Sequence, residues 1–418
     1  MHRWIANLRR ATRLVGFRAA VFSLAGIGIA VAAWLISFIA PSGLGPEIGQ
    51  DSVSTILQIL ASSMLAVTTF SLTTMVSAYS GASTSGTPRS TQLLILDRTS
   101  QNALSTFIGA FAYSIVGIIV LSSKVLSPAG VALLFLGTLC VIVAVLVALL
   151  RWISFLTTFG RVPDIMDRLE NAATKAMRDY AAAPRAGAAA WTSPPEDARR
   201  VLATSDGYVT DLHVDDLQAL AEWKDLDIWV HLRPGMTVSE GEALAHVRGE
   251  YDEAIETQLR ESFTVEPHRT FDKDPRLGLI GLSEVASKAL SPGINDPGTA
   301  IGVLRALERV LSVAQGTDHH AEVTRPRVRM QIISPEDFVV DALRPTARDG
   351  ASMVEVSVRL QREIARLVAG AKDAEWEIAL LRESAEALAR CESAMTLDAD
   401  IEHVRAAHLQ AVRGGASA

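Results

Sequence analysis

The sequence predicts an α-helical integral membrane domain of four transmembrane helices, followed by a cytoplasmic α+β region that contains a small β-module. Three observations carry that reading. The 418-residue chain is 49% hydrophobic and only 20% charged, with a positive mean hydropathy, whereas soluble chains average about 25% charged. Four long runs contain no charged residue at all, and crossing the hydrocarbon takes roughly 20 helical residues. The charge is also divided: residues 1–161 carry ten Lys/Arg against Glu47, Asp51 and Asp97, for a net +7, so the remainder must carry −14 within the total of −7. The two parts are written for different solvents. An acidic soluble part without a basic cluster excludes nucleic acid as a partner. The two cysteines, Cys140 and Cys391, give neither a disulfide framework nor a zinc cluster.

The charge-free runs are residues 19–40, 52–80, 102–123 and 125–150. The first follows Arg3, Arg9, Arg10, Arg13 and Arg18 like a secretory signal. It is too long for a signal core, lacks a clean cleavage site and precedes three more spans, so it reads as a transmembrane helix. With the N-terminus inside, one side holds those five arginines, Arg89, Arg98, Arg151 and Arg161, and the other holds only Lys124. That asymmetry predicts that both termini and the acidic region are cytoplasmic.

The second span holds a dozen Ser/Thr residues. On a helix, Thr55, Ser62, Ala66, Thr69, Thr73, Ser77 and Ser80 recur on one small, polar face. Two readings compete: close helix packing with hydroxyls bonding across the contact, or a hydroxyl-lined pathway in a homo-oligomer, with Glu47 and Asp51 at its outer mouth drawing in cations. No Asp, Glu, Lys, Arg or His lies mid-membrane, which argues against a proton-coupled carrier. Glycines 26, 28, 109 and 117 read as tight helix contacts. The loop over residues 81–101 reads as an interfacial elbow with an amphipathic stretch at 92–98, where Asp97 and Arg98 lie near Arg89.

Beyond the fourth span, residues 164–183 read as a helix with Ile165, Leu169, Ala172 and Ala176 in step, and an Ala/Gly/Pro-rich linker follows. Between Val201 and Val247, short alternating runs broken by turns predict β-structure. Here Ser205-Asp206-Gly207-Tyr208-Val209 and the stretch from Arg233-Pro234-Gly235 to Leu244 resemble the two turns of a barrel-sandwich, biotinyl/lipoyl-like domain. The module is therefore expected to be barrel-sandwich-like. Those domains carry a prosthetic group on a Lys flanked by Met in a hairpin. Lys224 lacks those flanks, so no swinging-arm cofactor is expected.

Two polar loops open helices farther on: Arg269 through Asp274-Pro275-Arg276, and Ser291-Pro292-Gly293-Ile294-Asn295-Asp296-Pro297. Asp274 and Asp296 each match an N-cap followed by Pro at the first helical position. The loops are denser in Pro, Gly, Asn and Asp than capping requires, so Arg269, Asp272, Asp274, Arg276, Asn295 and Asp296 are also candidates for a polar ligand or interaction site. The segment Ala289-Leu290-Ser291-Pro292-Gly293-Ile294-Asn295-Asp296-Pro297, with the Ser/Thr-rich second span and the stretch from Asp97 to Tyr113, resembles a bacterial family of predicted membrane proteins, domain of unknown function 2254. The resemblance covers nearly the whole chain and implies a multi-pass membrane protein with a soluble domain, without an established substrate or activity.

Residues 327–333 read as a strand. Packing helices follow at 335–343, 353–369, 374–395 and 399–412, the third carrying Ile378, Leu381, Ala385, Leu388 and Cys391 on one face. His319-His320 read as a surface turn. His213, His231 and His246 lie in the β-module, where strand pairing would bring them together as a metal or proton-sensing site, with solvated positions as the default. Glu250, Asp252, Glu253 and Glu256 read as a solvated acidic cluster. The common catalytic motifs are missing, and no metal or cofactor is expected. The predicted organisation is a transmembrane domain at 1–161, a connector at 162–198, the β-module at 199–250, a helical cytoplasmic domain at 251–413 and a tail at 414–418. The function expected is a homo-oligomeric inner-membrane channel or transport-like protein in the lipid bilayer, passing a small ion or solute, with a cytoplasmic regulatory domain. A membrane-anchored sensor or scaffold is the second reading, and an enzyme the third.

Overall fold

The computed structural model describes residues 15–39, 49–95, 98–123, 125–318 and 321–415. It divides into two compact units, Met1–Asp164 and Ile165–Ala418.

The first unit contains α1 (Val15–Ile39), α2 (Gln50–Ser85), α3 (Pro88–Ile95), α4 (Arg98–Ser122) and α5 (Pro128–Thr158). Of these, α1, α2, α4 and α5 are long and apolar enough to cross a membrane. Ser127 caps α5 by accepting from the Gly130 N–H, with Pro128 at the first helical position, so that helix starts three residues later than the charge-free run. The expected elbow is mostly helical: α2 continues to Ser85, and α3 opens where Thr87 and Ser90 exchange side-chain and backbone hydrogen bonds. The side chains of Asp97 and Arg98 lie outside those described.

Helix α4 is the centre of this unit, packing on α1, α2 and α5. Several glycines set how close the helices come, Gly109 and Gly137 among them. A Cβ on Gly109 would lie 3.0 Å from the Phe22 backbone of α1, and one on Gly137 would lie 2.7 Å from Ile29 and 2.9 Å from the Tyr113 hydroxyl. Small residues at such crossings let backbones approach where water supplies no hydrophobic drive. The Tyr113 hydroxyl, fully buried, donates to the Leu134 carbonyl at 2.7 Å and lies 3.0 Å from Thr138 Oγ1, tying α4 to α5.

The second unit begins within α6 (Val162–Ala182), which buries Ile165, Leu169, Ala173, Ala176 and Met177. Its β region comprises β1 (Ala188–Ala190), β2 (Arg199–Leu202), β3 (Gly207–Leu212), β4 (Asp227–Val230), β5 (Thr237–Val238), β6 (Ala243–Arg248), β7 (Phe263–Glu266) and β8 (Arg325–Met330), with α7 (Val214–Lys224) and α8 (Glu253–Glu261) between strands. These form a mixed five-stranded sheet, β1-β8-β4-β6-β2, and a three-stranded antiparallel sheet, β5-β3-β7. The barrel-sandwich expectation is corrected: neither sheet closes on itself among the described residues. The cause is β8, which arrives from far along the chain and pairs parallel with both β1 and β4. Strand β1 itself comes from the segment read as linker. Arg325, Arg327 and Arg329 of β8 bind Asp215, Asp225 and Asp227, while Val328 and Met330 join the core with Val201, Val209, Leu217, Ile228 and Val247.

Six helices complete the unit: α9 (Pro275–Ala289), α10 (Pro297–Ala314), α11 (Pro335–Asp349), α12 (Val354–Gly370), α13 (Ala374–Ala394) and α14 (Asp398–Gly415). Asp274, Asp296 and Ser334 cap α9, α10 and α11, each followed by Pro. Helix α9 packs on α10 and α11, and α12 packs on α13 and α14. Buried Glu363 and Glu383 are held by Arg359 with Arg366 and by Arg344.

Candidate functional site

Helix α2 packs on α4 through Val53, Leu57, Leu60, Ala61 and Met64, all buried. The opposite choice of residues, Thr55, Ser62, Ala66, Thr69, Thr73, Ser77 and Ser80, is exposed in the chain. Ile59, Leu65, Phe70, Leu72 and Val76 of the same helix are also exposed, so α2 has a lipid-like surface beside its hydroxyl stripe. The hydroxyl protons are committed to the helix itself. Thr55 donates to the Asp51 carbonyl at 2.8 Å, Ser62 to Gln58 at 3.0 Å, Thr69 to Ala66 at 2.9 Å and Thr73 to Thr69 at 3.0 Å. With its proton donated inward, each hydroxyl oxygen has only acceptor lone pairs left to offer. Asp51 is exposed in the first turn of α2, and Glu47 lies outside the described residues.

In the second unit the candidate residues fall into two groups. Asp274, 2% exposed, accepts from the Arg276 and Leu277 N–H groups and from Arg269 Nε at 2.7 Å. Its carboxylate lies against Gly235, whose φ of +95° and lack of a side chain make that approach feasible; a Cβ there would lie 2.4 Å from the carboxylate. Arg276 reaches Asp341 at 2.5 Å and Asp337 at 3.2 Å. Burial alone would lower the Arg276 guanidinium, but Asp341, Asp337 and Asp274 outweigh it and hold the group above its ordinary value. Asp272 is exposed beside this network.

Asn295 and Asp296 belong elsewhere. They stand at the C-terminal end of α9, and 15 helical residues separate the two loops by about 22 Å at 1.5 Å per residue. The loops do not form one site. Asn295 takes a left-handed φ of +51°. Asp296 accepts from the Thr299 N–H at 3.0 Å and hydroxyl at 2.6 Å, bonds that hold its carboxyl below the usual carboxylate range. Both residues are exposed, as is Ile294 between them and Gly293.

The sequence reading missed residues that complete the first group. Tyr180 of α6 accepts from the Ile333 N–H at 2.7 Å, and burial pushes its phenol up. Arg233 sits near Tyr180 and Asp337 and is repelled by Arg276; burial lowers it, and its Nη1 is buried without a hydrogen-bond partner. Arg233-Pro234-Gly235 was legible only as a turn, because its neighbours come from α6 and α11.

Of the three β-module histidines, two meet: the His231 and His246 rings are 5.9 Å apart. Burial lowers both, with His246 adding to the effect on His231 and Arg200 to that on His246. His213 stands at the start of α7 instead. Among the described residues no cluster of His, Cys, Asp and Glu has the makings of a metal site, and His319 and His320 lie outside them. Lys224 ends α7 with its ammonium 4.0 Å over the Trp223 ring. In the acidic cluster, Asp252 caps α8 and Glu256 pairs with Arg260 at 2.7 Å.

A family model described as predicted membrane protein (DUF2254) matches residues 13–366. Uncharacterized proteins of Mycobacterium bovis and Mycobacterium tuberculosis are each 33% identical over 141 residues, which is 32% of this chain and 27% of theirs. The match thus spans about a quarter of the length of those relatives. No solved structure matches the chain.

Proposed function

The chain belongs to the DUF2254 family of predicted membrane proteins, and from that premise we propose that it is a homo-oligomeric inner-membrane channel or transport-like protein, with α2 along the shared axis. The observation that carries this reading is the hydroxyl stripe of α2, which is left exposed among the described residues. In lipid a row of hydroxyls gains nothing, whereas around a water-filled axis it replaces part of an ion's hydration. Because the protons of Thr55, Ser62, Thr69 and Thr73 point into the helix, the oxygens left outward suit a small cation. Asp51, with Glu47 before it, supplies negative charge at the outer mouth. The arginine asymmetry supports cytoplasmic termini, which makes the second unit a cytoplasmic regulatory domain.

The test is ion flux through purified protein in liposomes, comparing wild type with Thr69→Leu and Thr73→Leu, each checked for normal assembly. A cation conductance in wild type that either substitution abolishes is the expected result. A well-assembled wild type that conducts none of several ions overturns the proposal. One observation favours a second reading, a membrane-anchored sensor or scaffold: the loop before α10 is exposed and presents Ile294, 50% exposed, between polar residues. That reading expects no flux, and expects Ile294→Asp to abolish capture of a partner while leaving the fold unchanged.

A further inference from the structure

Two adjoining cavities of about 530 and 440 Å³ open at one end of the first unit and share Thr99 and Arg151. The polar lining is Arg151 with Thr99, Asn102, Thr106 and Ser154, from the start of α4 and the end of α5. Among the described residues no Asp or Glu lines these cavities, and no carboxylate pairs with Arg151. The rest of the wall is apolar and open to the outside at Phe22, Val147 and Leu150, which are 43%, 44% and 66% exposed.

Depth places this chemistry in the membrane. Arg151 lies 23 residues beyond Pro128 on one continuous helix, a rise of about 35 Å against about 30 Å of hydrocarbon. Its guanidinium therefore stands at headgroup level, while Ala144, Val147 and Ala148, one to two turns earlier, stand at the level of the acyl chains. Thr99 is the second residue of α4, a 25-residue helix whose positive dipole end favours an anion at this position.

We propose that these cavities form a binding site for an anionic phospholipid, its phosphate held by Arg151 and the hydroxyls of Thr99 and Ser154, and an acyl chain lying along Phe22, Val147 and Leu150. The guanidinium matches a phosphate oxygen pair in geometry as well as charge. A headgroup that carries its own ammonium brings a like charge toward Arg151, so an anionic headgroup is preferred over a zwitterionic one. Free phosphate shares the anion chemistry but leaves the apolar walls unused.

The test uses the full-length protein, stripped of lipid in detergent and examined by native mass spectrometry with phosphatidylglycerol, phosphatidylcholine or inorganic phosphate. Wild type should retain phosphatidylglycerol about fivefold better than phosphatidylcholine, the weight of one cation at a membrane surface. Arg151→Gln should erase that preference, and Ala148→Phe, which fills the cavity and leaves the charge in place, should reduce retention of both lipids. Equal retention of the two lipids by wild type, an Arg151→Gln protein that keeps the preference, or inorganic phosphate that displaces phosphatidylglycerol would each overturn the proposal.

Discussion

Asp274 performs two separable tasks, and two substitutions pull them apart. Its carboxylate caps α9 through two backbone N–H groups and holds Arg269, which is 18% exposed, at 2.7 Å. Asparagine keeps an oxygen for the cap, since Asn and Asp are equivalent there, but gives up the charge; a hydrogen bond to a charged group contributes about 1.5–3 kcal/mol. Alanine loses the cap as well, worth about 1 kcal/mol, and strands the guanidinium, for a total of about 3–5 kcal/mol. In a unit of this size each kcal/mol lowers the melting midpoint by about 2–4 °C. Asp274→Asn should therefore melt roughly 5 °C below wild type and Asp274→Ala roughly 10 °C below. The assay is thermal unfolding of the full chain in detergent, followed by tryptophan fluorescence. Combining Asp274→Asn with Arg269→Met should cost less than the sum of the two singles, because the stranded cation is gone. If Asn and Ala variants melt together, or both lie within about 2 °C of wild type, the division into cap and ion pair is wrong.

Acid should destabilise the second unit through His231 and His246. Both are held below the ordinary histidine range by burial first, so the unfolded chain binds more protons; the stability they contribute is present above about pH 6.5 and is lost as pH falls below it. The melting midpoint measured from pH 7.5 to 5.5 should fall less steeply in the His231→Gln/His246→Gln double variant, and an unchanged slope would refute the assignment. Gly278→Ala should destabilise despite alanine's helix advantage of about 1 kcal/mol. The new Cβ would lie 2.4 Å from the Ala173 Cβ and 2.6 Å from its Cα, an overpacking penalty of about 1–3 kcal/mol against backbone that has little room to yield. Pairing it with Ala173→Gly should recover part of the loss in the same melting experiment.

What the sequence made legible were signals that lie within one stretch of chain. A run of 20 uncharged residues is its own evidence, and the four such runs correspond to α1, α2, α4 and α5. The caps at Asp274 and Asp296 were readable because capping residue and proline are neighbours. Helix α7 was overlooked although Val214, Leu217, Leu220 and Ala221 are spaced for a buried face; the surrounding turns drew the reading toward strands. The open sheet was not legible, since β4 gives no sign that its parallel partner lies about a hundred residues ahead. The same holds for Arg233 with Tyr180 and for the separation of the two candidate loops. The first depends on contacts between distant segments, and the second on the length of an intervening helix.

The position of β8 has a consequence for biosynthesis. Of the described strands it is the last in the sequence, yet it lies between β1 and β4. Until residues 325–330 emerge, β1 has no neighbour in the sheet and β4 presents an open edge, while α9 and α10 have already been made. Nascent chains therefore carry an unfinished sheet for the whole time it takes to translate those helices, and such edges recruit other strands. Insertion of β8 is the step that seals the sheet. Chains that stop short of Arg325 should therefore be substrates for chaperones and proteases.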